Sequence, residues 1–197
     1  VRELAALLQP LANLEFNVEG NPFAPAIGDY PGFLSLVEQT KPDQCTLVPD
    51  NDSQLTSDHG FNLRHSGEAL EPIIKRLKDQ GMRVSLFMDP DPEQIELAAQ
   101  IGTDRIELYT GPYADQHSSP EGDGILQIFV DAGTLAVSLG LGINAGHDLN
   151  QDNLARFCRD VPDVAEVSIG HAIITDALWI GLSETVSKYR GIVNSIP

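Results

Sequence analysis

The chain has 197 residues, which is enough for one sizeable hydrophobic core and requires no second domain. Hydrophobic residues make up 42% of it, and no run approaches the roughly 18 to 20 apolar residues that span a membrane. The net charge of −17 disfavours nucleic acids and anionic membranes as partners, although local groups could still hold a small phosphorylated molecule. The N-terminus shows no signal-peptide pattern, and Cys45 and Cys158 lie far apart, so we expect a cytoplasmic protein with reduced thiols.

Short apolar runs alternate with helical patterns along the whole chain. After an apparent helix at Glu3–Gln9, the predicted strands are Asn13–Glu19, Gln44–Pro49, Arg83–Asp89, Arg105–Gly111, Gly142–His147 and Glu166–His171. The predicted helices are Phe33–Gln39, Gly67–Gln80, Pro92–Ile101, Gly122–Leu139, Gln151–Arg159 and Ile173–Ile192. The strands are mostly apolar rather than alternating, which is typical of strands buried on both faces.

This alternation predicts an α/β fold with a parallel sheet, either doubly wound or a TIM (β/α)8-type barrel. Side chains capable of catalysis lie at the ends of several different strands. In a doubly wound sheet they would gather at a single switch point, so this distribution favours the barrel. About six of the eight βα units are accounted for, so we expect residues 1–197 to form a single barrel domain that is incomplete at its N-terminus. Residues 50–66 are polar and too long for an ordinary βα turn, and are predicted to form a lid loop.

Two neighbouring strands end in the same pair, Gly146-His147 and Gly170-His171. The carboxyl ends of barrel strands form the rim at which active sites are built. We interpret His147 as a proton donor or acceptor there, with simple capping of the next helix as the alternative. Gly170-His171 is better suited to binding a phosphate or carbonyl group through backbone amides.

Two carboxylates, Glu15 and Glu107, interrupt strand-like runs. A carboxylate inside a barrel is costly unless it is paired or used, and desolvation raises its pKa towards the range of a general base. A structural ion pair inside the barrel, or a side chain on the outer face beneath a helix, is the alternative for each. Thr56 could reach a substrate only if its loop closes. No zinc or phosphate-loop spacing is present, and no metal is expected.

Several short segments occur in an order that is similar to one known family. They are Asn13-Leu14-Glu15, Leu47-Val48-Pro49, Val84–Asp89, Ile106-Glu107, Thr110-Gly111, Asn144–His147 and Ile169–Ile174. Together they resemble the pyridoxine 5'-phosphate synthase family of deoxyxylulose-dependent vitamin B6 biosynthesis, across essentially the whole chain. The resemblance implies a cytoplasmic homo-octamer without a cofactor. It also implies that 3-amino-2-oxopropyl phosphate and 1-deoxy-D-xylulose 5-phosphate are condensed, releasing phosphate and water.

The resemblance also assigns roles to individual residues. Glu15 matches the general base, Glu107 the carboxylate that stabilises the transition state, and His147 the proton donor. The substrate-binding positions are Thr56 for deoxyxylulose phosphate, and Asp148, Gly170 and His171 for aminooxopropyl phosphate. Asp148 stands where the family commonly has glycine.

Two other functions fit the fold. One is a different TIM-barrel enzyme that processes phosphosugars; a Schiff-base aldolase would need a strand-end lysine, which none of the four lysines provides. The other is a catalytically silent, truncated barrel with a structural role. Because two βα units and their arginines are missing relative to the family, we expect these residues alone to have little or no activity.

Overall fold

The computed structural model describes residues 1–11, 13–51 and 54–196. The elements in chain order are α1 (Arg2–Leu8), β1 (Asn17–Gly20), α2 (Phe33–Thr40), β2 (Gln44–Leu47), α3 (Leu63–Lys78), β3 (Arg83–Met88), α4 (Pro92–Gln100), β4 (Arg105–Tyr109), α5 (Gly111–Gln116), α6 (Gly122–Ser138), β5 (Gly142–Gly146), α7 (Leu154–Asp160), β6 (Val164–Ser168), α8 (His171–Ile180) and α9 (Leu182–Asn194). No helix within these ranges is long and apolar enough to cross a membrane.

The six strands form one sheet in which each strand pairs in parallel with the next strand of the sequence, from β1 to β6. A doubly wound sheet would reverse its strand order at a switch point, whereas a barrel winds in one direction. The sheet curls into a partial TIM barrel, and the predicted fold class is confirmed. All six strands end at one rim, where the βα loops lie.

The core lies between the sheet and the helices on its outer face. Leu47, Leu86 and Ile106 are fully buried on three neighbouring strands. Tyr113 of α5 packs against Phe157 of α7 with ring centroids 5.2 Å apart, and burial of rings of this size contributes about 2 kcal/mol each. This packing fixes the helices whose first turns border the rim.

Several predicted elements are wrong in their boundaries: the helix predicted over Gly67–Gln80 begins at Leu63, and the strand predicted over Glu166–His171 is Val164–Ser168. Two further differences have a clear physical reason. The first strand begins at Asn17 instead of Asn13, because only residues 17–20 pair with Gln44–Leu47 of β2. The helix predicted over Ile173–Ile192 is two helices, α8 and α9, separated at Gly181. Gly181 has a φ of 84°, which ends a helix and which glycine adopts without steric cost.

Candidate active site

His147 is the centre of the rim and is contacted by side chains from three other segments. Its Nε2 lies 2.6 Å from Oγ1 of Thr56, in the predicted lid. The ring of Tyr109 is edge-on to the imidazole at 5.4 Å, and that of His171 at 5.9 Å. The structure therefore brings together Thr56, His147 and His171. Thr56 precedes His147 by 91 positions, and His171 follows it by 24.

A tight turn after β5 fixes the direction of this imidazole. His147 and Asp148 both have left-handed backbones, with φ values of 75° and 58°. The Thr110 hydroxyl, at the end of β4, donates to the Gly146 carbonyl at 2.8 Å and also to the His147 carbonyl. The neighbouring strand thus holds in place a conformation that residues other than glycine adopt at a cost.

Glu107 is buried in β4 beneath this turn and is only 1% exposed. A Cβ atom at Gly146 would collide with its carboxylate, so the glycine makes room for it. Its Oε2 has no hydrogen-bond partner among the described residues. Burial, followed by the negative charge of Glu19, raises the pKa of Glu107. Such a carboxyl group can hold a proton near neutral pH and exchange it with a bound molecule.

Glu19 is a candidate site residue that the sequence interpretation missed. It lies on β1, in register with Thr46 of β2. Loss of hydration inside the curved sheet, and then the charge of Asp50, raise the pKa of Glu19, while His147 lowers it. Glu19 is nevertheless exposed to solvent. Because the charge of Glu19 raises the pKa of Glu107, an ionised Glu19 favours the protonated form of Glu107.

Glu15 does not lie with Glu107 and His147. It precedes β1 at the amino end of the sheet, where its exposed carboxylate forms an ion pair with Arg83, the first residue of β3. The hydrogen bond from Arg83 is the largest cause of its lowered pKa. Since β1 begins at Asn17, residue 15 cannot reach the carboxyl rim. The predicted interior position is wrong. Glu15 forms an ion pair, but on the exposed amino end of the sheet and not inside the barrel.

The remaining predicted residues lie around His147. The Nδ1 atom of His147 is 2.8 Å from Oδ2 of Asp148. Gly170 precedes α8, and His171 is its first residue. In the predicted lid, Ser57 donates to Asp50 at 2.6 Å. Within residues 50–66, Asp52 and Ser53 lie outside the described residues, and the last four positions belong to α3.

A TIM-type sheet that gathers carboxyl and imidazole groups at its carboxyl rim defines this chain as a barrel protein of the kind that performs acid–base catalysis. It belongs to the family described as pyridoxal phosphate biosynthesis protein PdxJ, whose family model matches residues 1–195.

Curated relatives agree with this family, and a solved structure agrees with the fold. The chain is 53% identical over 186 residues to a pyridoxine 5'-phosphate synthase of Xanthomonas campestris pv. campestris strain B100, covering 94% of this chain and 73% of that protein. It is 52% identical to a pyridoxine 5'-phosphate synthase of Xylella fastidiosa strain M12, and this match covers 93% of this chain and 70% of that protein. A solved structure described as native KDPGal has a TM-score of 0.56 at 13% identity, covering 96% of this chain and 76% of that one, and supports the fold alone.

Proposed function

We propose that this chain catalyses the reaction of its family, at the low rate expected of these residues alone. The reaction is the condensation of 3-amino-2-oxopropyl phosphate with 1-deoxy-D-xylulose 5-phosphate to pyridoxine 5'-phosphate, phosphate and water. The observation that carries the proposal is the family match over residues 1–195. The geometry supports it, because closing a ring through imine and enol intermediates requires repeated proton transfers at one place. Acid–base groups suffice for these steps, so no cofactor is part of the proposal.

In this mechanism Glu19 replaces Glu15 as the general base. The charge of Glu19 raises the pKa of Glu107, so Glu19 can accept a proton while Glu107 stays neutral. His147 donates a proton to the departing oxygen from the rim, and Thr56 orients its ring through Nε2. The neutral form of Glu107 can donate a hydrogen bond to negative charge that develops in the transition state.

The substrate phosphates are proposed to bind near Thr56, and between Asp148 and the start of α8 at Gly170 and His171. The backbone amides at the start of α8, a helix of ten residues, can donate to phosphate oxygens. Closure of residues 50–66 as a lid would then keep water from reactive intermediates. No nucleic acid or membrane takes part in this proposal.

The proposal includes a cytoplasmic homo-octamer, as the family resemblance implies. Leu178 and Trp179 of α8 are 82% and 85% exposed, which is apolar surface suited to burial in an assembly. Sedimentation of the purified chain measures the oligomeric state, and a monomer at all concentrations would contradict this part.

The activity is tested with both substrates, using mass spectrometry over hours so that low turnover is detected, with calorimetric binding of each substrate alongside. We expect Glu19→Gln, Glu107→Gln and His147→Asn to lower product formation by about 100-fold or more. Glu15→Gln is the matched control, because it removes a carboxylate from the opposite end of the sheet. If the native chain neither forms product nor binds either substrate, the proposal is wrong. If Glu15→Gln abolishes product while Glu19→Gln does not, the assignment of the base is wrong.

A further inference from the structure

Three potential metal ligands meet beside the rim. One donor atom each from His147, Asp148 and His171 lies within 4.8 Å of the other two. We propose that these residues bind a divalent transition-metal ion such as Zn²⁺ or Co²⁺.

The backbone presents two of the three ligands together. Consecutive left-handed residues at His147 and Asp148 turn both side chains to one side, with Nδ1 and Oδ2 2.8 Å apart. The turn is held on its far side, where the Asn153 side-chain amide donates to the Asp148 carbonyl at 3.3 Å. These ligands are consequently placed before any ion arrives, which lowers the entropic cost of binding.

The imidazole of His147 has the arrangement of a metal ligand. Its Nε2 is engaged by the Thr56 hydroxyl at 2.6 Å, which fixes the orientation of the ring. Its Nδ1 is buried and, although close to Asp148, makes no directed hydrogen bond to any described residue. A histidine that binds a metal with one nitrogen generally uses the other nitrogen in this way.

The surroundings attract cations. Asp148 and His171 line an open cleft of about 710 Å³, which gives an ion a path from solvent. Three further carboxylates line the same cleft, those of Asp115, Asp152 and Asp176. Four carboxylates at one cleft, on a chain with a net charge of −17, raise the local concentration of cations.

The donor set selects the class of ion. Two imidazole nitrogens and one carboxylate oxygen suit Zn²⁺ and Co²⁺, whereas Mg²⁺ and Ca²⁺ prefer oxygen ligands alone. In a tetrahedral zinc site the ligand atoms lie roughly 3.3 to 3.5 Å apart. Nδ1 of His147 and Oδ2 of Asp148, 2.8 Å apart, must therefore separate slightly, and the exposed His171 side chain must turn to complete the set. Water completes the fourth position.

The site is tested by titrating the chain with Co²⁺, after treatment with a chelator, and recording the visible absorption of tetrahedral Co²⁺. We expect a one-to-one complex that Zn²⁺ displaces and excess Mg²⁺ does not. His171→Ala and Asp148→Asn should each weaken binding at least about tenfold. Asparagine tolerates the left-handed backbone at position 148, so that variant removes the charge while keeping the turn. Thr56→Val should weaken binding by about tenfold, through loss of orientation of His147.

His65→Ala is the matched control, because it removes an exposed histidine on α3 that is not one of the three ligands. It should leave Co²⁺ affinity within about twofold of native. Circular dichroism of each variant confirms that the fold is retained. Absence of a tetrahedral Co²⁺ spectrum, or Co²⁺ affinity unchanged by both His171→Ala and Asp148→Asn, would overturn the proposal. The readout is independent of catalysis, so its failure is distinguishable from failure of the proposed activity.

Discussion

Replacing Glu107 by glutamine keeps the shape of the side chain and removes the charge that its buried position disfavours. Burial raises the pKa of Glu107 from 4.5 to about 8. Between those two pH values the folded state holds more protons than the unfolded state, so stability must fall as the pH rises. This is the opposite of an acid paired with arginine, whose contribution is lost as the pH falls.

The size of the effect follows from the two pKa values. Each pH unit across this window changes the free energy of unfolding by at most about 1.4 kcal/mol for one proton. From pH 6 to pH 8 the Glu107 carboxyl should therefore cost about 2 kcal/mol of stability. The shift of Glu19 has the same sign and adds to the slope in the native chain.

Urea unfolding of the native chain and of Glu107→Gln at pH 6, 7 and 8 measures this difference. We expect the free energy of unfolding of the variant, relative to that of the native chain, to rise by about 2 kcal/mol from pH 6 to pH 8. Glu15→Gln is the control, because Arg83 lowers the pKa of this exposed carboxylate and its ionisation is complete throughout the range. A stability difference between Glu107→Gln and the native chain that does not change with pH would refute the reasoning.

Three further substitutions test the supports of the site. Gly146→Ala should destabilise the fold by about 2 kcal/mol or more in thermal unfolding, because the new methyl group collides with the Glu107 carboxylate. The control is Gly124→Ala, at an open position of α6, which should instead stabilise the fold by about 0.5 to 1 kcal/mol. Thr110→Val removes the hydroxyl donor to the Gly146 and His147 carbonyls and should cost about 1 to 2 kcal/mol in urea unfolding, with Thr110→Ser restoring most of it. Tyr113→Phe leaves the buried Asn153 carbonyl without its 2.9 Å hydrogen bond and should cost about 1 kcal/mol by the same measurement. Changes within 0.3 kcal/mol for these buried-site variants would contradict the contacts described.

The position of most site residues follows from the strand pattern, since parallel strands end at one rim. His147 and His171 could be placed there because Gly-His follows an apolar run twice. The base could not be placed in the same way. Asn-x-Glu occurs at residues 13–15 and again at 17–19, and a shift of four residues leaves the same face of a strand pointing inwards. Only pairing with β2 selects Glu19.

Two other features also depend on information beyond local periodicity. The apolar pattern continues through Gly181, with Ile180 and Leu182 on either side, so the helix break is set by the backbone of one residue. The contact between Thr56 and His147 joins a loop to a strand end 91 positions away. Loop side chains have no period that could predict such a partner.

The left-handed pair at the mouth of the barrel also restricts how this protein can diverge. Valine, isoleucine and threonine are strongly disfavoured at a φ of 58°, whereas glycine, asparagine and aspartate are accepted. Evolution at position 148 is thus confined to a few small residues, which differ chiefly in whether they bring a charge. A single nucleotide change between aspartate and asparagine or glycine codons can alter the electrostatics of the mouth without disturbing the chain path. The backbone conformation here therefore limits which side chains natural variants can carry at position 148.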